Sequence, residues 1–172
     1  MKSYYLAALT NKGFILKIKQ NIIKAMALTG FIYELTDEEL HVNIRNGFKN
    51  LEALGVKTDI SYFLIDFMEI MESYSGFEKR VFRKILEGCH FYKSADGFIG
   101  YSFAEEIKLI KEQTIDYITV DDFDFFLQKG LLEKHPFTSI ENNAYIRKYF
   151  STIKNAYGLA VDKNMALIFQ IG

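Results

Sequence analysis

The sequence contains few prolines and cysteines, the residues that mark interdomain linkers and form disulfide bonds. Its 172 residues include one proline, one cysteine (Cys89) and no tryptophan. Because one proline and no serine- or glycine-rich stretch leave no linker to detect, we predict a single compact domain over residues 1–172. A lone cysteine excludes an internal disulfide and a zinc site built from several cysteines, and it fits a reducing compartment.

Long apolar runs and a surplus of one charge are also absent. No uninterrupted apolar stretch approaches the roughly 20 residues that a membrane span needs. The apolar run at residues 4–9 is shorter than the apolar core of a signal peptide. The 21 basic and 22 acidic residues give a formal net charge of -1, whereas nucleic-acid-binding domains are usually strongly basic. These absences predict a soluble, cytoplasmic protein without a membrane partner.

Helix signals dominate what the sequence does contain. Hydrophobic residues make up 49% of the chain and aromatic residues 16%, which is enough for a packed core. Thr36 with Glu39, and Ser102 with Glu105, have the spacing of capping boxes, which open helices. We expect the first helix to run to about Leu54, with Gly47 inside it. Glycines that follow apolar periodic segments predict helix ends, at Gly30, Gly55, Gly76, Gly88 and Gly158.

Strand signals are confined to two segments. CHFYK, SADG and FIGYS, from residue 89 to residue 102, read as strand, turn and strand, because aromatic residues favour strands and Asp-Gly favours a tight turn. The tail LAVDKNMALIFQIG predicts a terminal strand or hairpin that pairs with this hairpin or with residues 4–9. The predicted fold class is therefore mainly α with a small antiparallel β element (α+β), containing about six to seven helices.

The stretch TVDDFDFFLQKG interleaves three aspartates with three phenylalanines. Residues 112–128 contain five acids and no base. On a helical wheel, Val120, Phe123 and Leu127 form one core stripe, and the helix dipole favours acids in the first turn. Phe125 falls among carboxylates on the outward side, which is typical of an interaction anchor. The alternative is that a neighbouring element, such as the C-terminal hairpin, covers this ring. The candidate partner-binding residues are therefore Asp116, Asp121, Asp122, Asp124 and Phe125.

No catalytic or cofactor signature accompanies this pattern. The sequence lacks phosphate-binding glycine loops, a nucleophile elbow and close histidine pairs with metal-ligand spacing. We therefore predict no cofactor, no metal and no catalytic residues. We expect a binding protein rather than an enzyme. The first hypothesis is a non-catalytic protein-binding module, such as an inhibitor, antitoxin or immunity protein that neutralises a basic partner, for example a nuclease.

Two alternative functions depend on other parts of the chain. A nucleic-acid-binding regulator would use a lysine-rich N-terminal helix, with Lys12, Lys17, Lys19 and Lys24. An enzyme or metal protein would use Asp66 and Glu69 with a histidine, because carboxylates in an apolar setting do acid–base work or bind hard cations. The simpler interpretation of these two carboxylates, with Glu72, is one solvated edge of a buried helix.

Overall fold

The computed structural model describes residues 30–54, 57–60, 84–94, 97–132 and 140–172. Residues 84–87 are helical, and short 3-10 turns cover Leu51–Ala53 and Ile115–Tyr117. The longer elements of this part of the chain are β1 (Gly30–Leu35), α1 (Asp37–Arg45), β2 (Lys57–Asp59), β3 (His90–Ser94), β4 (Gly97–Ser102), α2 (Ala104–Gln113), α3 (Val120–Leu132), α4 (Ile140–Asp162) and β5 (Ala166–Ile171).

The five strands form one antiparallel sheet in the order β2-β1-β5-β4-β3. The C-terminal strand β5 lies in the middle. Along one edge Leu35 of β1 pairs with Ala166, and along the other Ser102 of β4 pairs with Leu167. Sheet formation therefore brings together segments that are more than 60 residues apart in the chain.

The predicted fold class is wrong in the weight it gives to the sheet. The hairpin near residues 89–102 and the C-terminal strand are present, but they belong to a five-stranded sheet and not to a small β element. The fold is a mixed α+β fold. Gly30, predicted to end a helix, begins β1, and the helix predicted before it lies outside the described residues. Five of the six β1 residues are buried, so the strand lacks the alternation of polar and apolar residues that identifies a half-exposed strand.

Helices and loops cover both faces of the sheet. On one face, sheet residues such as Tyr33, Ile99 and Ile168 pack with Leu40 of α1 and with Phe48 and Leu51 behind it. On the other face, Ile32, Leu167 and Phe169 pack against residues from α2, α3 and α4, among them Ile107, Phe123, Leu127, Ile146, Phe150, Ile153 and Tyr157. Burying apolar surface on both faces is the main force that holds the layers together.

Several helix boundaries differ from the predicted ones. The Thr36–Glu39 capping box is present, but α1 ends at Arg45 and not near Leu54. The chain turns there through Gly47 and Phe48, whose φ angles are 63° and 55°, so the placement of Gly47 inside a helix is wrong. Helix α4 continues past Gly158 to Asp162. Gly158 therefore does not end this helix, and its Cα faces open space.

The start of α2 links it to α1. The side chain of Glu106 accepts a hydrogen bond from the Phe103 amide at 2.9 Å. The amide of Ala104 donates to Oδ1 of Asp37 at 3.0 Å, so a carboxylate of α1 caps the N-terminus of α2. Ser102 has a different role from the predicted cap, because its Oγ accepts from the amide of Cys89 at 2.8 Å.

Two buried tyrosines fix the long helix α4 to other elements. The Tyr149 hydroxyl donates to the carbonyl of Ile60 at 2.7 Å, just after β2. The Tyr157 hydroxyl donates to the carbonyl of Ile85 at 2.9 Å. Burial raises the pKa of both phenols, so they remain neutral donors near neutral pH. None of the helices among the described residues combines the length and apolarity needed to cross a bilayer.

A close backbone approach beside the sheet involves glycine. The chain at residues 84–88 runs beside β4, and Gly88 forms a parallel bridge to Tyr101. A Cβ atom built on Gly100 would overlap the carbonyl oxygen of Glu87. Because that oxygen belongs to the backbone, the overlap can be removed only if residues 84–88 move away from the sheet.

Gly100→Ala should therefore lower the free energy of unfolding by about 2 kcal/mol or more, the cost of overpacking a tight site. Gly158→Ala is the matched control, because it adds the same methyl group in open space within a helix. It should raise stability by about 0.5–1 kcal/mol. Urea unfolding of both variants checks this, and equal effects would contradict the described packing.

Candidate functional site

The candidate surface begins where the chain passes from α2 to α3. The Thr114 hydroxyl donates to the carbonyl of Ile110 at 2.5 Å, and the Thr114 side chain is buried. Ile115 and Ile118 are buried in the turn that follows. The amide of Phe123 then donates to the carbonyl of Thr119 at 3.1 Å, which closes the first turn of α3. The buried side chains of Ile115 and Ile118 before α3, and of Phe123 in its first turn, fix where this helix starts.

The inward face of α3 is the predicted core stripe. Phe123 and Leu127 are fully buried. The ring of Phe123 stacks on Phe150 of α4, with 4.4 Å between the ring centroids. The buried amide of Asn143 donates from Nδ2 to the carbonyl of Leu127 at 3.3 Å. These contacts with α4 set the rotation of α3 about its axis, and so determine which of its side chains face outward.

Phe125 is on the outward face. Its side chain is 65% exposed, and its ring lies beside that of Phe126, with centroids 6.3 Å apart. Asp121 and Lys129, one turn before and one turn after it, are both exposed. Because residues four apart share a helix face, Asp121, Phe125 and Lys129 form one stripe, which we call the outward stripe.

Two of the five predicted site residues form ion pairs within the chain. Both carboxylate oxygens of Asp116 lie 2.9 Å from Nζ of Lys111. Oδ1 of Asp124 accepts from Nε of Arg147, on α4, at 2.6 Å. Asp121 makes no ion pair within the described part of the chain. The side chain of Asp122 lies outside the described residues.

The surface is therefore less acidic than the sequence block indicates. Lys111 and Lys129 stand just beyond the two ends of the acidic block 112–128, so a count taken within the block omits them. Arg147 is 23 residues away from its partner, and no local sequence signal connects the two. Lys129 could have been found on the same helical wheel that singled out Phe125. The site combines an exposed aromatic ring with charges of both signs.

A histidine and a carboxylate meet at a second place. Nε2 of His90 lies 2.8 Å from Oε1 of Glu106, and the imidazole stacks on Tyr101 at a centroid distance of 5.1 Å. His90 has no further hydrogen-bond partner among the described residues. The same residues include no group of three or more metal-ligating side chains.

The other sequence-predicted sites cannot be placed. The lysines at 12, 17, 19 and 24, proposed for nucleic-acid binding, lie outside the described residues, as do Asp66, Glu69 and Glu72. Both alternative functions therefore stay predictions.

Comparison with known proteins gives a fold neighbour. No family model matches the chain, and no curated protein sequence matches it. The chain is similar to a crystal structure described as that of a protein of unknown function, YfbM from Escherichia coli. The TM-score is 0.61 with 16% sequence identity, over 84% of this chain and 99% of that chain. At this identity the likeness concerns the fold alone.

The two phenylalanines of α3 offer a direct check of the helix orientation. Phe125→Ala should change the free energy of unfolding by no more than about 0.5 kcal/mol, because the ring is mostly in water. Phe123→Ala should cost about 3–5 kcal/mol, because it leaves a cavity against Phe150. Chemical denaturation measures both values. A large loss from Phe125→Ala would mean that another element covers this ring.

Proposed function

We propose that the protein is a non-catalytic protein-binding module whose contact surface is centred on Phe125. The observation that carries the proposal is the 65% exposure of this ring on the outward face of α3. A single exposed aromatic residue is common on protein surfaces. Phe125 differs from most exposed aromatic residues because the inward face of its helix is anchored in the core.

The anchoring supports a recognition role on energetic grounds. Binding orders side chains and costs free energy for each rotamer that is lost. A phenylalanine on a helix held by the Phe123–Phe150 stack brings a large apolar area at little further ordering cost. Aromatic anchors surrounded by polar groups are a common arrangement at binding hot spots.

The charges around the ring would select the partner. Asp121 is exposed one helical turn before Phe125, so a partner that places a cation there gains an ion pair beside the aromatic contact. Complementary charges of this kind mainly increase the association rate and the specificity. An inhibitor, antitoxin or immunity protein that neutralises a basic partner is the narrower form of this proposal.

A capture experiment with purified, tagged protein and native lysate tests the proposal. Wild-type protein should retain at least one protein that the Phe125→Ala, Asp121→Lys double variant does not, because the anchor and its neighbouring charge are both lost. Mass spectrometry of the retained proteins is the measurement.

Leu159→Ala is the matched control, since Leu159 is 47% exposed on α4. This variant should retain the same proteins as wild type. Identical sets from wild type and the double variant would overturn the proposal, and loss from the control variant would show that the contact surface is not centred on Phe125.

A further inference from the structure

We propose that Asn46 is a site of spontaneous covalent modification, at which ring closure with the following glycine converts the side-chain amide to a carboxylate when the C-terminal cap of α1 opens. Asn46–Gly47 is the only Asn-Gly pair in the sequence. Asn46 is exposed and directly follows Arg45, the last residue of α1. The site lies on the opposite face of the sheet from α3, so the proposal does not depend on the Phe125 surface.

The reaction needs only a base and water. The amide nitrogen of Gly47 loses its proton and attacks Cγ of Asn46. A new C–N bond forms and the bond from Cγ to Nδ2 breaks. Nδ2 leaves as ammonia, taking a proton from water, which restores the base and leaves a five-membered imide ring. Water then opens the ring at either carbonyl and gives aspartate or isoaspartate. Glycine favours the ring closure because it has no side chain that hinders the approach of its nitrogen.

The folded cap holds Asn46 away from the reactive geometry. The ψ angle of Asn46 is 2°, so the Gly47 nitrogen eclipses the backbone nitrogen of Asn46. Ring closure requires the Gly47 nitrogen to eclipse Cβ instead, because Cβ and this nitrogen become members of one nearly flat ring. The Gly47 amide also donates to the carbonyl of Ile44 at 3.2 Å. The reaction therefore requires rotation about the Cα–C bond of Asn46 and loss of this hydrogen bond.

Further backbone hydrogen bonds keep the cap closed. The Asn46 amide donates to the carbonyl of Val42 at 3.1 Å, and the Phe48 amide donates to the carbonyl of Asn43 at 2.9 Å. With Gly47 at a φ angle of 63°, this is a common way for a helix to end. Helix ends open at a lower free energy than core elements do. The cap therefore has a route to the reactive geometry that does not require global unfolding.

The ring of Phe48 resists this opening. Its side chain is buried, and its ring centroid lies 5.4 Å from that of Tyr92 and 5.5 Å from that of Tyr101. Both tyrosines belong to the β3–β4 hairpin. An opening that moves Phe48 has to break these aromatic contacts, so we expect Asn46 to react more slowly in the folded protein than in an unfolded chain.

The two products differ in their effect on the cap. Aspartate adds a negative charge at the C-terminal end of α1, where the helix dipole disfavours it. Isoaspartate adds the same charge and also inserts a methylene group into the backbone between residues 46 and 47. The inserted group moves Phe48 relative to Asn43 and to the two tyrosines, so isoaspartate should be the more destabilising product.

Peptide mapping by mass spectrometry tests the proposal on the full chain. Purified protein is incubated in mildly alkaline buffer, folded in one sample and unfolded in urea in the other. Asn46 should gain the mass of one amide-to-acid conversion in both samples, about ten-fold or more slowly in the folded one. Asn43 and Asn50 are internal controls, because the side chains of Ile44 and Leu51 after them hinder ring closure. Both controls should stay unmodified over the same period.

Either of two results would overturn the proposal. Equal rates in the folded and unfolded samples would show that the cap does not restrain Asn46. A folded sample without conversion at Asn46, after the unfolded sample has converted and incubation has continued for many times longer, would show that the cap does not open.

Two further measurements test whether the opening is local. Low concentrations of urea should leave the rate in the folded protein unchanged, because local opening exposes little surface. A rate that rises steeply with urea would show that only global unfolding gives access to Asn46, which contradicts the proposal. Phe48→Ala should raise the rate several-fold, because the contacts with Tyr92 and Tyr101 are lost. An unchanged rate in this variant, once it is shown to be folded, would also contradict it.

Asn46→Asp is the matched control for the effect of the modification. It adds the charge without lengthening the backbone. The isoaspartate form, separated by chromatography from incubated protein, should unfold at a lower urea concentration than Asn46→Asp does. Equal midpoints would show that the inserted methylene group does not disturb the packing of Phe48.

Discussion

The position of β5 between β1 and β4 is the constraint on which the rest of the structure depends. Its residues Ala166 to Phe169 have no measurable exposure, and the strand pairs along both edges. Alternate side chains enter the two hydrophobic clusters on opposite faces of the sheet. One six-residue strand thus joins two chain segments and two layers of core, and its loss would remove contacts from all of them.

The position of β5 also determines which face of α3 is exposed to solvent. Helix α4 ends at Asp162 and leads into β5 through a short turn, so the direction of β5 fixes the end of α4. Nζ of Lys163 in that turn lies 3.9 Å from Oε2 of Glu34 on β1. Helix α3 then packs on α4 through Phe123 and Phe150. Because one face of α3 is buried in this contact, the opposite face exposes Phe125 to solvent between Asp121 and Lys129.

The sequence predicts local features of this structure well and long-range ones poorly. The Thr36–Glu39 cap, the β3–β4 hairpin and the inward stripe of α3 follow from neighbouring residues. The strand β1 does not, because its partner β5 lies more than 130 residues away and burial on both faces removes the alternation of a strand. The candidate site shows the same division. The outward position of Phe125 on α3 follows from helix geometry, whereas its exposure and the Asp124–Arg147 pair depend on how other elements pack around this helix.

Hydrogen–deuterium exchange of the backbone amides tests the central role of β5 most directly. If β5 holds the sheet together, the amides of Leu167, Ile168 and Phe169 should be among the slowest to exchange and should open only with global unfolding. The amides of the edge strand β3 should exchange faster through local opening. Exchange of the β5 amides at the rate of β3, or faster, would contradict the account.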